Sequence, residues 1–558
     1  MAQLMLPFPR EKLFQASQNL NGLKTKLPVP LRKVCEENQF LYEYLHAIPM
    51  QKIGVPNYYP ELSRKLRELE VRNLIYSIKE GLFVHIYPDP TGERDYYIPI
   101  EPHLTVDIQP LLGEVELRLL DWTEQIGAAE TEEEKRQALL EALDAILTTD
   151  GRKGSLKVTP RQKEALIYYI LREKVGYGVL APLLLDPYIE DISCSGTGPI
   201  FIEHKIFKSL QCAISFETNE ELDDFVIWLG EWIKRPVTVR NPIVDAVLPD
   251  GSRINIVYGS DISKRGSNFT IRKFSETPLS VLELIEFGTL NYLMAAYISF
   301  VLEEGLNVFV VGATASGKTT TLNAITTFIR PEHKIVTIED TPELQVPHKN
   351  WIREMTRGTG RDEKASAVGM FDLLKAALRQ RPDRIIVGEI RGEEGAIAFQ
   401  AMQTGHGVMS TFHAASVEKL IQRLTGEPIN IPKAYVDNLD VVIIQKAVRA
   451  PGAGMVRRIT SINEIVGYDP TSKSFSFIET FRWNPATDDF EFPGYMNSFV
   501  LEETIAPKRG IPPFKRKAIY TELKRRARIF ERIHKERHVR GFYEFFKILA
   551  EAHKQNLL

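Results

Sequence analysis

Apolar positions recur along this chain with two periods, and the changes of period mark its candidate segments. "GLFVHIYPDPTGERDYYIPIEP" (81–102) sets two β-rich runs around an Asp-Pro-Thr-Gly turn and predicts a hairpin. Leu139, Leu140, Leu143, Ile146 and Leu147 recur at helical spacing in a segment whose other face is acidic, either a linker helix or part of the next domain. Between Leu156 and Phe274 the patterns mix. "PRQKEALIYYILREKVG" reads as a helix, "DISCSGTGPIFIEHK" as strands, "PIVDAVLPDGSRINIVYG" as strand, Pro-Asp-Gly turn and strand, and "SNFTIRKFS" as a further strand.

From Thr277 the pattern changes to short apolar runs, "NVFVVGA", "KIVTIED", "RIIVGEI" and "GVMSTFHA", alternating with helical segments. Runs apolar at every position are buried on both faces. They predict an α/β fold with a mostly parallel sheet covered by helices on both faces, preceded by a mixed α+β domain. "LDVVIIQKAV" and "RRITSINEIVGYD" extend that sheet as a hairpin, and the segment from Ala506 is helical and basic. The expected divisions are 1–110, an acidic helical linker 111–155, an α+β domain 156–275, the α/β core 276–505 and a basic tail 506–558.

Composition narrows the class. Over 558 residues, 44% are hydrophobic and 26% charged, which fits a globular protein with more than one core. A net charge of −3 argues against polyanion binding by bulk charge. Cys35, Cys194 and Cys212 are far apart, which excludes a cysteine-rich zinc module and fits a reducing compartment. No signal peptide is expected at the N-terminus, and no run reaches the roughly 18 apolar residues of a membrane span.

The chemistry starts at "VFVVGATASGKTTTLNAI" (308–325). Gly312, Ala313, Thr314, Ala315, Ser316, Gly317, Lys318 and Thr319 satisfy G-x-x-x-x-G-K-[ST], between a β-rich run and a helix. In that context backbone N–H groups wrap phosphate oxygens, Lys318 reaches the β/γ-phosphates and the Thr319 hydroxyl faces Mg²⁺. No guanine-reading N-K-x-D follows, so ATP is expected rather than GTP. Glu339 and Asp340 end one apolar run and Glu389 ends another, on the edge where open α/β sheets gather ligands. They are either solvated strand-end acids or the pair that activates water and holds Mg²⁺ through its hydration shell. His406, between Gly405 and Gly407, and His413 are either packed histidines or γ-phosphate sensors.

"GATASGKTT", "TIEDTPEL", "LRQRPDRIIVGEIRGEE" and "TGHGVMSTFHA", in that order, resemble the ATPases of type II and type IV secretion and pilus systems. In that family they are the Walker A motif, the Asp box, an atypical Walker B and the His box. The resemblance implies a RecA-like core in a homo-hexameric ring, with ATP and Mg²⁺ bound near a neighbouring subunit. It assigns Gly312, Thr314, Ala315, Ser316, Gly317, Lys318, Thr319 and Thr320 to the nucleotide, and Thr319 and Glu389 to the metal, Glu389 through water. Glu339 would activate water, His406 and His413 would form the His box, and Arg253 and Arg272 would be the arginines that reach the nucleotide, with a structural ion pair the equal alternative for Arg253. The four-cysteine module of many bacterial members is absent, and the first region looks like archaeal members, the archaellum motor ATPases above all.

These implications bring expected partners: further copies of the chain, a polytopic membrane platform protein and accessory regulators. The expected location is peripheral, on the inner face of the cell membrane. Between Lys508 and Arg540 thirteen Lys and Arg stand against three Glu. That run is a solvated helix face, a lipid or nucleic-acid surface, or a dock for the platform's cytoplasmic loops, the reading the family favours. Three activities remain open at this point: a filament or secretion motor, a nucleic-acid motor and a non-hydrolysing nucleotide-gated scaffold. The Glu-type Walker B and His box argue against the second, and intact Glu339 and Glu389 against the third, so no nucleic-acid partner is expected.

Overall fold

The computed structural model describes residues 3–9, 13, 27–89, 91–151, 154–274, 277–357, 368–451, 454–471 and 474–555. The chain forms two compact units, Met1–Ser275 and Glu276–Leu558.

The first unit is built on an 11-stranded sheet. The expected hairpin is present as Phe83–Tyr87 antiparallel to Tyr96–Ile100. Its second strand lies parallel to Lys208–Phe216, so the strands before residue 110 and those after 156 share one sheet. Alternation along the strands decides the face. Tyr76, Val84, Ile86 and Tyr97 enter one core with the helix Asn219–Trp232, while Ile75, Phe83, Ile98 and Ile100 enter another with the helices Val29–Glu37 and Gln39–Ala47.

Two of the expected divisions are therefore corrected. The acidic-faced helix, Glu132–Ile146, is no free linker: Leu139, Leu143 and Ile146 share a core with Ile108, Leu112 and Val115 before it and Ala165, Leu166 and Ile170 after it. Its start is fixed by a capping box, with the Thr131 side chain accepting from Glu134 N. Buried polar ties cross the same divisions. Arg172 Nη1 donates to both Glu101 oxygens at 2.9 and 3.1 Å, and the Tyr76 and Tyr97 hydroxyls donate to Asp186 Oδ2 at 2.6 and 2.8 Å.

The second unit holds a 9-stranded sheet. In spatial order its strands are Trp351–Met355, Ile335–Glu339, Arg384–Val387, Gly407–Phe412, Val308–Val311 and Val441–Ala450, all parallel, then Gly454–Asp469, Ser474–Asn484 and Asp489–Glu491, antiparallel. This is the RecA-like α/β core with the expected hairpin extension. Val308 and Val310 face the helices Tyr292–Glu303 and Lys318–Ile325, while Phe309 and Val311 face Met370–Arg379, Glu394–Gln403 and Val417–Thr425.

The division at 505 is also corrected. Ile519, Tyr520, Leu523, Phe530 and Ile533 of Ile519–Lys535, and Phe545 and Leu549 of Phe542–Lys554, lie in the core that contains Tyr297 and Val301. Part of the basic run is internal as well. Arg526 is buried, with Nη1 on Glu303 Oε1 and 3.1 Å from Ser299 Oγ, and Arg509 Nη2 meets Glu303 Oε2 at 2.6 Å.

Candidate nucleotide-binding site

Parallel register brings the site together. Val311 stands opposite Phe412, Val387 opposite Ser410, and Ile338 opposite Val387. The segments leaving those strands, 312–319, 339–340, 388–389 and 413, therefore emerge along one carboxyl edge of the sheet, where ligands of open α/β folds bind.

The loop 312–317 is seated tightly on the neighbouring strand. Gly312 N donates to Phe412 O at 3.1 Å, and a Cβ at Gly312 would lie 2.1 Å from Gln445 O. Ala315 and Gly317 are left-handed, with φ of 60° and 95°. Thr314, Ala315 and Thr320 are exposed and Thr319 half-buried. The helix Lys318–Ile325 starts at the loop's end, so its first N–H groups have no partner within the helix and its dipole favours an anion there. The Lys318 side chain is buried. Its Nζ donates to Ala313 O at 2.9 Å and lies 3.4 Å from His413 Nδ1. Burial draws the ammonium below its ordinary range, while Glu389 pulls the other way.

Glu389 is held from two sides: Arg391 Nη2 donates to Oε2 at 2.5 Å, and His413 Nε2 lies 2.7 Å from Oε1. Burial lowers the His413 imidazole, with Glu389 raising it and the cation of Lys318 lowering it further. The neutral ring can accept from Lys318 on Nδ1, while its Nε2 lies close to Glu389 Oε1 without a hydrogen bond reaching that oxygen among the described residues.

Glu339 ends the adjacent strand and is 1% exposed. Its Oε1 accepts from Glu343 N at 2.9 Å and Leu344 N at 2.7 Å, while Oε2 lies 3.6 Å from Arg353 Nε and accepts no hydrogen bond among the described residues. Burial pushes its carboxyl up to about 7, against the two N–H donors and Arg353. That is the range of a general base at neutral pH. Gly388 makes room for it, since a Cβ there would lie 3.3 Å from Glu339 Cγ.

The other expected site residues do not join this group within either unit. His406 precedes Gly407–Phe412, at the amino end of the strand whose carboxyl end carries His413, so about 20 Å of strand separates the two. The close approach at Gly407 is to another residue. Arg384 is buried at that amino edge, with Nη1 and Nη2 donating to Leu306 O and Leu302 O at 2.6 Å each, and a Cβ on Gly407 would lie 2.5 Å from its Nη1. Arg253 and Arg272 belong to the first unit, directly opposite each other on adjacent strands and exposed. Each has a carboxylate neighbour, Asp245 at 3.5 Å and Asp191 at 3.2 Å.

The donor set fits a magnesium nucleotide. Ser316 Oγ, on the loop that carries Lys318, is buried without a hydrogen-bond partner among the described residues. Among the described residues no group of three or more His, Cys, Asp or Glu is arranged to cage a metal. Mg²⁺ brought with a nucleotide would meet Thr319 directly and Glu389 through water. Sequence reasoning missed Arg391 on Glu389, Arg423, whose Nη1 donates to His413 O, and Gln445 and Arg457 against the loop. Arg391 stands inside a quoted motif. Arg457 lies 142 residues from its partner Ala315, with no local signal.

The family model described as "Type II/IV secretion system protein" matches residues 173–474. An uncharacterised protein of Methanocaldococcus jannaschii is 42% identical over 534 residues, 93% of this chain and 95% of that one. The type IV secretion system protein PtlH of Bordetella pertussis is 32% identical over 279 residues, 44% of this chain and 81% of PtlH. Among solved structures, the VirB11 ATPase of the Brucella suis type IV secretion system, in complex with sulphate, is 26% identical, with 53% of this chain and 93% of that chain covered and a TM-score of 0.27. The chain belongs to the type II/IV secretion system protein family.

Proposed function

We propose that this chain is a Mg²⁺-dependent ATPase that works as a homo-hexameric motor for an archaeal surface filament. The observation that carries the reading is the carboxyl-edge group: Lys318 on the phosphate loop, His413 between Lys318 and Glu389, and Glu339 buried nearby with a carboxyl near neutrality.

In this reading water attacks the γ-phosphorus, the bond to the β,γ-bridging oxygen breaks, and ADP and phosphate leave. Glu339 accepts the water's proton at Oε2, the oxygen with no other hydrogen bond, and returns it to phosphate or solvent. Lys318 and the N–H groups of 314–319 meet the charge on the phosphate oxygens, which grows on the leaving side. His413 keeps the Glu389 carboxylate and the Lys318 ammonium in register. Thr319, and Glu389 through water, would hold Mg²⁺, which would supply further charge neutralisation at the phosphates. Arg253 and Arg272 are the cations that meet the γ-phosphoryl group in the assembled ring.

The work is done on a membrane platform protein, with accessory regulators, at the inner face of the cell membrane. No helix among the described residues is long and apolar enough to cross a membrane, so the partner supplies the span. The archaellum is the filament of choice because the first region resembles archaeal members and the full-length relative is archaeal. Pilus assembly or type II-like secretion is the alternative, and the likeness to PtlH, a type IV secretion system protein, supports a secretion role in general.

The test is ATP turnover with and without Mg²⁺, DNA and the platform protein's cytoplasmic loops. Lys318→Ala abolishes turnover, and Glu339→Gln binds ATP without hydrolysing it. Stimulation by DNA alone would overturn the motor reading. Co-purification with an archaellum, pilus or secretion platform identifies the machine.

A further inference from the structure

Arg457 lies on the antiparallel extension, in the strand Gly454–Asp469 opposite Ala447. Nothing in the sequence motifs points to it. Its Nε donates to Ala315 O at 3.1 Å, across 142 residues, and so grips the one non-glycine residue of the phosphate loop that is left-handed. Its Cδ lies 3.1 Å from where a Cβ on Gly317 would be, so the stem of the side chain runs along the loop. The side chain is exposed. Among the described residues, no carboxylate engages it and its two Nη groups make no hydrogen bond.

The setting explains what such a guanidinium does. A loop with residues in the left-handed region turns its N–H groups toward one side, and that concavity binds oxyanions. A cation fixed at its rim by one N–H keeps four N–H hydrogens of a planar fork for further acceptors. Phosphate oxygens match that fork in geometry and charge. A surface arginine with only a solvent role has no reason to be anchored to a strained loop carbonyl.

We infer that Arg457 is a nucleotide-contacting residue supplied by the same subunit, holding Ala315 through Nε and presenting Nη1 and Nη2 to the phosphates of the bound nucleoside triphosphate. The inference rests on the phosphate-loop reading of the site and adds to it a cation from the sheet extension. It also gives the extension a part in nucleotide binding, since a phosphate that draws on Arg457 draws on the strand that carries it.

The test is equilibrium binding of a fluorescent ATP analogue, with Mg²⁺, to the full chain and its variants. Arg457→Ala weakens binding roughly 10- to 100-fold, the range for a lost charge-assisted hydrogen-bonding pair. Arg457→Lys recovers part of that loss. Ala315→Gly accepts the left-handed backbone without help, so it separates the two roles of Arg457. The double variant Arg457→Ala/Ala315→Gly stays as weak as Arg457→Ala if the guanidinium meets phosphate. Recovery of native affinity in the double variant overturns the inference, because Arg457 then acts only by propping the loop. Native affinity in Arg457→Ala, with Lys318→Ala unable to bind, also overturns it while leaving the phosphate-loop reading intact. Native affinity in Lys318→Ala overturns both.

Discussion

His413 Nε2 stands 2.7 Å from Glu389 Oε1 while its Nδ1 faces Lys318 Nζ at 3.4 Å, so one imidazole bridges the loop's lysine and the acid of the neighbouring strand. In the proposed reading that contact positions the lysine that meets the phosphates and the acid that holds the metal's water shell. His413→Ala is expected to lower kcat about 10- to 100-fold, below the range for groups that transfer the proton themselves, with a smaller change in ATP affinity. Steady-state kinetics beside equilibrium binding separate the two quantities. An unchanged kcat would show that the bridge is packing alone.

Glu339 ties activity and stability to pH in opposite directions. Its carboxyl titrates at about 7 in the fold, against an ordinary 4.5. As a base it must be ionised, so kcat/KM rises with pH to a plateau above about 7. For stability the sign reverses. A raised carboxyl means that the folded state holds the proton more tightly than the unfolded chain. This stabilisation of the protonated form is fully present below the unfolded value and is lost as pH rises through the folded one. Glu339→Gln is therefore expected to be inactive yet more stable than the native chain at pH 8, by about 1–3 kcal/mol, with the advantage gone at about pH 4. Thermal unfolding at the two pH values reads it.

Gly312 tests the seating of the loop. A methyl there would meet Gln445 O at 2.1 Å, and neither backbone is free to move without disturbing the parallel pair Val308–Val311 and Val441–Ala450. Gly312→Ala is expected to lose ATP binding at least tenfold and about 1–3 kcal/mol of stability. Gly388→Ala is the milder case. Its Cβ would press on Glu339 Cγ at 3.3 Å, so kcat falls and the acid limb of the pH profile shifts while ATP affinity holds.

Much of this was legible beforehand because the informative features are local. A phosphate loop is contiguous, and its flanking apolar runs announce the buried parallel strands around it. The hairpin at Phe83–Tyr87 and Tyr96–Ile100 announces itself by alternation and a turn. What sequence adjacency hides is which end of a strand a residue occupies. His406 and His413 sit in one short motif, yet the strand Gly407–Phe412 between them spans the sheet, and Gly407 serves Arg384. Pairings between distant elements are hidden too. Arg457 on Ala315, and the core shared by Leu143 and Ala165 across the supposed linker, follow from topology rather than from any local pattern.

The basic C-terminal run gives the last case, because its cations differ in kind. Arg526 is 4% exposed and is paired with Glu303, which also receives Arg509 and, at 3.5 Å, His553 Nε2. The hydrogen bond from His553 and the charges of Arg526 and Arg509 hold Glu303 down to about 2 despite its burial. Removing Arg526 leaves a buried carboxylate short of its closest cation, so Arg526→Ala is expected to lose about 3–5 kcal/mol. Arg525, one residue away, is exposed and meets Glu522 only at 3.5 Å, so Arg525→Ala is expected to change stability by less than about 1 kcal/mol. The two changes remove the same charge from the run. If the run served only as a docking arm, both would weaken partner recruitment alike and neither would touch the fold. Denaturant unfolding decides between them: a drop confined to Arg526→Ala establishes that the last helices are part of the ATPase core, and equal curves would return the segment to an appended tail.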